Sequence, residues 1–222
     1  MAYRMIDLER SGSVFIATLD HDENVIDPPF VERFNDVLDE VTATSGPRTL
    51  VTTGSGRFFS TGLSLRYVEA LDATELHAFL STIDHLLARL ISAPFVTVAA
   101  INGHCIAAGA LLSLAHDYRV MRADRGFFAL PSVDVGIPFT RGMTALISRK
   151  VPPPWSDDLA ISGDRFGGRE ASSRHVVHRA VPEDAVVPMS VEIAERHSGK
   201  DAETLGTIKE RLYHDVLEAL DS

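Results

Sequence analysis

Two glycine-bearing turns hold the residues whose types and spacing fit a chemical site. The first runs from Arg57 to Leu65 and includes Gly62, and the second runs from Asn102 to Gly109. Small residues let a ligand approach the main chain, and backbone N–H groups at the start of a helix are free to bind an anion. Two such turns can direct two N–H groups at one oxygen, which makes an oxyanion hole. From spacing alone, ordinary tight turns remain the alternative.

Other catalytic signatures are missing from the sequence. There is no phosphate-binding GxxxxGK[ST] or GxGxxG motif, no GxSxG nucleophile turn and no HExxH zinc motif. Nucleotide hydrolysis, nicotinamide-dependent redox chemistry and serine hydrolysis are therefore disfavoured. His175 and His178 lie in a polar stretch without a third ligand in view, so we interpret them as a solvated pair and expect no metal.

Composition narrows the class of protein further. The 222 residues are 45% hydrophobic and 23% charged, as in a globular domain with a sizeable core. The net charge of −10 argues against a nucleic-acid partner. The longest apolar run, Phe95 to Ile101, has the length of a strand, so no membrane span is expected. The N-terminus has no apolar signal region, and one cysteine, Cys105, excludes a disulfide framework, so we expect a cytoplasmic location.

The elements that must position the two turns alternate between strand and helix. Apolar runs predict strands over residues 14–19, 49–53 and 95–101, and helical spacing predicts helices over residues 30–41 and 74–91. This alternation favours an α/β fold with a largely parallel sheet. Further predictions are strands over 117–121 and 126–129, a buried helix from about Ala108, and helices over 140–149, 155–161, 182–197 and 202–220.

Four segments resemble the crotonase superfamily of enoyl-CoA hydratases and isomerases, most closely its isomerase-like branch. FFSTGLSL is similar to the first oxyanion segment of that family, and AAINGHCIAAGALLSLAHDYRV is similar to the second. ISGDRFGGREA and VVHRAVPEDAV resemble the segments that follow. The four occur in the order typical of the family, and the resemblance extends from about Val14 to Leu220.

The resemblance implies a fold, an assembly and a substrate. The fold would be an α/β, crotonase-like spiral of ββα units over residues 1–180. A helical C-terminal region over residues 181–222 would support trimerisation and cap the ligand. The assembly would be a homotrimer or a dimer of trimers. The substrate would be an acyl-CoA thioester, with no separate cofactor.

The resemblance also assigns the binding residues. The thioester oxygen would accept hydrogen bonds from the N–H groups of Leu63 and Ala108, which would stabilise the negative charge of an enolate. The implied CoA-binding residues are Asn24, Val25, Ser60, Gly62, Arg66, Gly109 and Lys209. Arg66 and Lys209 would meet the phosphates, although solvated surface charges are an equal alternative for these two.

The sequence departs from the family at both catalytic glutamates. Leu111 and Ser132 stand at those two positions, and a serine hydroxyl is too weak a base near neutral pH. Asp134 is a weak substitute, because in an extended segment its side chain would share a face with Ser132. The alternative is that Asp134 caps a helix or pairs with Arg125 or Arg141.

Two functions remain open at this point. The first is an enzyme of the enoyl-CoA isomerase or hydratase type that stabilises an enolate with an altered acid–base set. The second is a non-catalytic acyl-CoA-binding protein on the same scaffold. A carboxylate or imidazole in the acyl pocket would favour the enzyme, whereas a pocket lined by Leu111, Phe139 and other apolar groups would favour the binder.

Overall fold

The chain moves repeatedly from one sheet to a second sheet and then into a helix. The computed structural model describes residues 5–222. The strands are β1 (Ile6–Ser11), β2 (Val14–Leu19), β3 (Val25–Ile26), β4 (Thr49–Gly54), β5 (Phe58–Ser60), β6 (Gly62–Leu63), β7 (Val96–Ile101), β8 (His104–Ile106), β9 (Tyr118–Arg122), β10 (Phe127–Ala129), β11 (Arg165–Gly167) and β12 (Arg179–Val181). The helices are α1 (Pro28–Ala43), α2 (Leu65–Val68), α3 (Ala73–Ile91), α4 (Ala108–Ala115), α5 (Ser132–Val135), α6 (Arg141–Lys150), α7 (Trp155–Ser162), α8 (Gly168–Ser173), α9 (Glu183–His197), α10 (Ala202–Leu212) and α11 (His214–Leu220).

The strand order confirms the predicted α/β spiral. The larger sheet has the order β1-β2-β4-β7-β9-β12, and every pair after β1-β2 is parallel. The smaller sheet has the order β11-β10-β8-β5. Each of β4, β7 and β9 leads directly into a strand of the smaller sheet, so successive ββα units form a spiral.

Helices α1 and α3 begin at capping aspartates and bury one face. Asp27 accepts a hydrogen bond from the Phe30 N–H at 3.0 Å, and Pro28 occupies the first turn, where its missing N–H costs nothing. Asp72 and Glu75 form a capping box at the start of α3. All eight residues of α4 are buried, which places this helix at the centre of the core.

Two predictions about elements need correction. The single helix expected over residues 202–220 is two helices that meet at Tyr213, where α11 turns to pack on α6 and α3. At this break, Lys150 Nζ donates a hydrogen bond to the Tyr213 hydroxyl at 3.0 Å. Strand β1 was not predicted, because most of its residues face solvent at the sheet edge and apolar alternation is therefore missing.

The C-terminal region packs on its own core. Helix α9 covers the sheet at β4, β7 and β9, where Val186 and Ala194 join a second apolar cluster. The domain boundary predicted between residues 180 and 181 falls inside β12. Within residues 5–222, no helix combines the length and apolar character that a membrane crossing requires.

Candidate active site

The two glycine-bearing turns meet at Gly62. Strand β6 pairs with β3, with Gly62 opposite Val25 and Leu63 opposite Ile26. Gly62 has a φ of +93°, and a Cβ built on it would lie 2.8 Å from Ala107 Cβ and 2.9 Å from the Ala108 nitrogen. Only glycine therefore lets the first turn approach the backbone of the second so closely.

The backbone N–H groups of Leu63 and Ala108 are not engaged by the strand pairing and the helix around them. The Ser64 N–H donates to the Ile26 carbonyl at 3.0 Å, so the N–H of Leu63, one residue earlier in the strand, points away from β3. Ala108 is the first residue of α4, where an N–H has no partner within the helix. Leu63 and Ala108 both line one cavity, so the structure brings these two predicted residues together.

Ala107 holds the second turn in a strained conformation that the sequence did not indicate. Its φ is +50° and its ψ is −123°, a region that side-chain-bearing residues rarely adopt. Its N–H donates to the Ala129 carbonyl at 3.0 Å, and its carbonyl accepts from the Leu111 N–H at 3.1 Å. Such a residue costs about 1–3 kcal/mol, which the surrounding contacts must offset. An alanine gives no sequence signal for this conformation.

The cavity beside Leu63 and Ala108 is about 200 Å³ in volume and apolar. Its lining residues are Thr61, Leu63, Leu65, Leu80, Ile106, Ala107, Ala108, Leu111, Pro131, Ser132, Val135, Ile137, Pro138, Phe139 and Met143. Within the described part of the chain, Thr61 and Ser132 are its only polar side chains, and no acidic, basic, histidine, cysteine or tyrosine side chain lines it. The cavity therefore suits an apolar group and presents no side chain that titrates near neutral pH.

Asp134 does not share the face of Ser132. The segment is the helical turn α5 rather than an extended strand, with the Asp134 N–H donating to the Pro131 carbonyl at 3.0 Å. Residues two apart on a helix point in nearly opposite directions. Ser132 accordingly lines the cavity, while the exposed Asp134 directs Oδ2 to within 2.9 Å of the position that a Cβ on Gly163 would occupy. The expectation that Asp134 shares a face with Ser132 is therefore wrong, and the role of Asp134 as a base loses its geometric support.

Four of the predicted CoA-binding residues hold the two turns in place. The buried Ser60 hydroxyl donates to the Asn24 carbonyl at 2.6 Å and accepts from the Gly62 N–H at 3.1 Å. The buried Asn24 donates from Nδ2 to the Phe58 carbonyl at 3.0 Å. A Cβ on Gly109 would lie 2.6 Å from Ser60 Cβ, so the glycine permits this contact.

The two predicted phosphate contacts lie in different environments. Arg66 is exposed on α2, close in sequence to Leu63. Lys209 is only 3% exposed, and its Nζ donates to the Phe95 carbonyl at 2.9 Å and to Asp117 Oδ2 at 2.7 Å. Lys209 Nζ is hydrogen-bonded to groups of the protein itself, so the structure does not support a phosphate contact by this residue. The alternative of a solvated surface charge is wrong because the side chain is buried in an ion pair.

The sequence analysis missed Asp84. This carboxylate is 5% exposed on α3 and accepts a hydrogen bond from the Thr140 hydroxyl at 3.0 Å. Burial raises the pKa of Asp84 to about 6, while the Thr140 hydrogen bond and the charges of His85 and His77 act in the opposite direction. Asp84 follows Leu80 by four residues and therefore falls on the buried stripe of α3, so the helical spacing itself carries a signal for this residue.

The fold and the cavity together define the class. A ββα spiral, in which two turns meet at a glycine above an apolar cavity, is the arrangement of the crotonase fold. The family model described as enoyl-CoA hydratase/isomerase matches residues 9–222. This chain therefore belongs to the enoyl-CoA hydratase/isomerase family.

Curated relatives carry isomerase and hydratase names. Enoyl-CoA delta isomerase 3 of Arabidopsis thaliana is 32% identical over 98% of this chain and 95% of its own length. The peroxisomal enoyl-CoA delta isomerase 2 of the same plant is 32% identical over 96% of this chain and 93% of its own. A putative enoyl-CoA hydratase of Thermus thermophilus is 30% identical over 94% of this chain and 83% of its own.

Solved structures show the same fold. A probable enoyl-CoA hydratase of Mycobacterium tuberculosis superposes with a TM-score of 0.89 at 23% identity, covering 97% of this chain and 91% of its own. A family protein of Pseudomonas syringae superposes with a TM-score of 0.91 at 22% identity, covering 98% and 94%. At these identities the likeness establishes the fold alone.

Proposed function

We propose that this chain binds an acyl-CoA thioester and holds it without the carboxylate-driven proton transfer of hydratases and isomerases. The thioester carbonyl would accept hydrogen bonds from the N–H groups of Leu63 and Ala108, and the acyl group would occupy the apolar cavity. The observation that carries this proposal is the cavity lining, which places both residues beside a space whose polar side chains are Thr61 and Ser132.

The chemistry available at such a site is polarisation of the carbonyl. Fixed N–H dipoles stabilise negative charge on the oxygen and need no reorganisation when that charge develops. Hydration and isomerisation also need a base within hydrogen-bond reach of the carbon that loses its proton. Leu111 offers no proton acceptor, and the Ser132 hydroxyl is too weak a base near neutral pH. The thioester is therefore bound and polarised, but its protons stay in place.

A second candidate function is enoyl-CoA isomerisation. It is favoured by the names of the relatives at 32% identity and by the two N–H groups at the cavity. An isomerase moves one proton between C2 and C4, so one base would suffice. That base would have to come from outside the side chains that now line the cavity.

Calorimetry with a panel of acyl-CoAs, combined with mass spectrometry of the same samples, separates the two functions. Binding with the thioester recovered unchanged supports the proposed holding function. Binding with conversion of a 3-enoyl-CoA or a 2-enoyl-CoA supports an enzyme. No binding of any acyl-CoA would overturn both.

We also propose a homotrimer or a dimer of trimers in the cytoplasm, as the family resemblance and the sequence lead us to expect. Apolar side chains exposed on α5 and α7, namely Val133, Val135 and Ile161, support burial of this surface by another subunit. Light scattering of the purified protein tests the assembly, and a monomer at micromolar concentration would contradict it.

A further inference from the structure

A second cavity adjoins the acyl cavity. It is about 280 Å³ in volume, and Leu80, Pro138 and Phe139 line both spaces, so the two cavities share part of their lining. The second cavity differs in character, because its other lining residues include Asp84, Thr140 and polar or charged neighbours. Those neighbours are His77, Ser81, Arg141 and Ser222.

Asp84 can accept a hydrogen bond from a ligand group in the second cavity. It lies four residues after Leu80 on α3, so the two side chains are on the same face of the helix, one turn apart. Thr140 donates to Asp84 Oδ1, and a carboxylate can accept further hydrogen bonds at its second oxygen. A buried carboxylate with unused acceptor capacity is costly, and a donor on a ligand would reduce that cost.

We propose that this second cavity is a distal subsite for the far end of the acyl group, where Asp84 accepts a hydrogen bond from a hydroxyl group on the chain. The substrate class is an acyl-CoA with a hydroxyl near the end of its acyl chain. This inference rests on the proposed acyl-CoA binding, since an acyl chain that passes between Leu80 and Phe139 would reach Asp84.

The surrounding charges select a neutral hydroxyl. A carboxylate on the chain would be attracted by Arg141 but repelled by Asp84. An ammonium group would be attracted by Asp84 but would face the cationic Arg141 and, when protonated, His77. A hydroxyl carries no charge and can donate to Asp84, so it suits both parts of the lining.

The test compares plain and terminally hydroxylated acyl-CoAs of equal chain length by calorimetry. We expect the unaltered protein to bind the hydroxylated chain about tenfold more tightly at the chain length that reaches Asp84, since a hydrogen bond to a charged group has an effect of at least that size. In Asp84→Leu this preference should reverse, because the plain chain gains an apolar neighbour. Asp84→Asn keeps an acceptor for Thr140 and should retain only a few-fold preference.

The outcomes distinguish this inference from the function on which it rests. Equal affinity for the two series at every chain length, or an unchanged preference in both Asp84 variants, would overturn the distal subsite and leave acyl-CoA binding intact. Should Asp84→Leu not fold, Asp84→Asn still measures the preference. No binding of either series would overturn the subsite together with the proposed function.

Discussion

Gly62 and Ala108 are in contact across the two turns: a Cβ on Gly62 would lie 2.9 Å from the Ala108 nitrogen. The two residues are far apart in sequence, and each belongs to a separate ββα unit. Gly62 immediately precedes Leu63, so this close approach brings the Leu63 N–H near the start of the helix at Ala108. The proposed thioester site therefore depends on the absence of one side chain.

Replacing Gly62 with alanine should weaken acyl-CoA binding about tenfold or more. Because the added methyl group overlaps Ala107 and Ala108, the free energy of unfolding should also fall by about 2 kcal/mol more than the positive φ alone would cost. Gly56→Ala is the matched control, because Gly56 also has a positive φ but a Cβ there meets nothing within 4 Å. Calorimetry and denaturant unfolding of the two variants measure both effects. Equal acyl-CoA affinity in the two variants would contradict the proposed role of the contact.

Replacing Ser132 with glutamate should give the site a base that can transfer a proton of the substrate. Ser132 lines the acyl cavity, so a carboxylate there would lie among apolar side chains, which raise its pKa and make it a better base. We expect isomerisation of a 3-enoyl-CoA at a rate about 100-fold above that of the unaltered protein. Ser132→Gln is the control of equal size. A glutamate variant that binds the substrate but is no faster than the glutamine variant would argue against this placement of the acyl group.

The proposed contact between Arg66 and the phosphates of CoA gives a further prediction. Arg66→Ala should weaken acyl-CoA binding a few-fold, and the loss should shrink at high salt, because an exposed charge is screened. The matching acyl-pantetheine, which lacks the nucleotide, should bind both proteins equally. Equal losses for the two ligands would indicate that Arg66 does not meet the nucleotide end.

Lys209 should affect stability rather than ligand binding. Lys209→Met leaves the partly buried Asp117 without its cation, so we expect a loss of about 2–3 kcal/mol in the free energy of unfolding. Adding Asp117→Asn should recover part of this loss, because the unpaired charge is then removed. Denaturant unfolding of the single and double variants measures the coupling, and simple additivity would contradict it.

Asp84 should make the fold less stable as pH rises. Its folded pKa is raised from 3.8 to about 6, so the folded state binds more protons than the unfolded state between these values. The stabilising effect of the protonated carboxyl is complete below about pH 4 and is lost as pH passes through about 6. Asp84→Asn should remove this dependence and be more stable near neutral pH by about 1–2 kcal/mol, allowing for solvent in the adjoining cavity. Identical pH profiles of unfolding would contradict the shift.

The fold was predictable because its signals are local. Buried strands such as β7 and amphipathic helices such as α3 appear directly in the hydrophobic pattern. The site was predictable only in part. The pairing of Leu63 with Ala108 came from the family resemblance, whereas the helical turn at Asp134 and the ion pair of Lys209 depend on tertiary contacts that no local pattern carries. Asp84 was missed because a single acidic residue in an amphipathic helix normally faces solvent.

Isotope-edited infrared spectroscopy of a carbonyl-labelled 3-enoyl-CoA tests the central claim most directly, since it observes the thioester oxygen and the double bond in one sample. We expect the C=O stretch to fall to lower frequency on binding, as two N–H groups polarise the carbonyl, and the 3-enoyl thioester to be recovered unchanged. An unshifted carbonyl band in the bound ligand would contradict the assignment of the Leu63 and Ala108 N–H groups. Recovery of the 2-enoyl isomer would show that the chain transfers protons and is an enzyme.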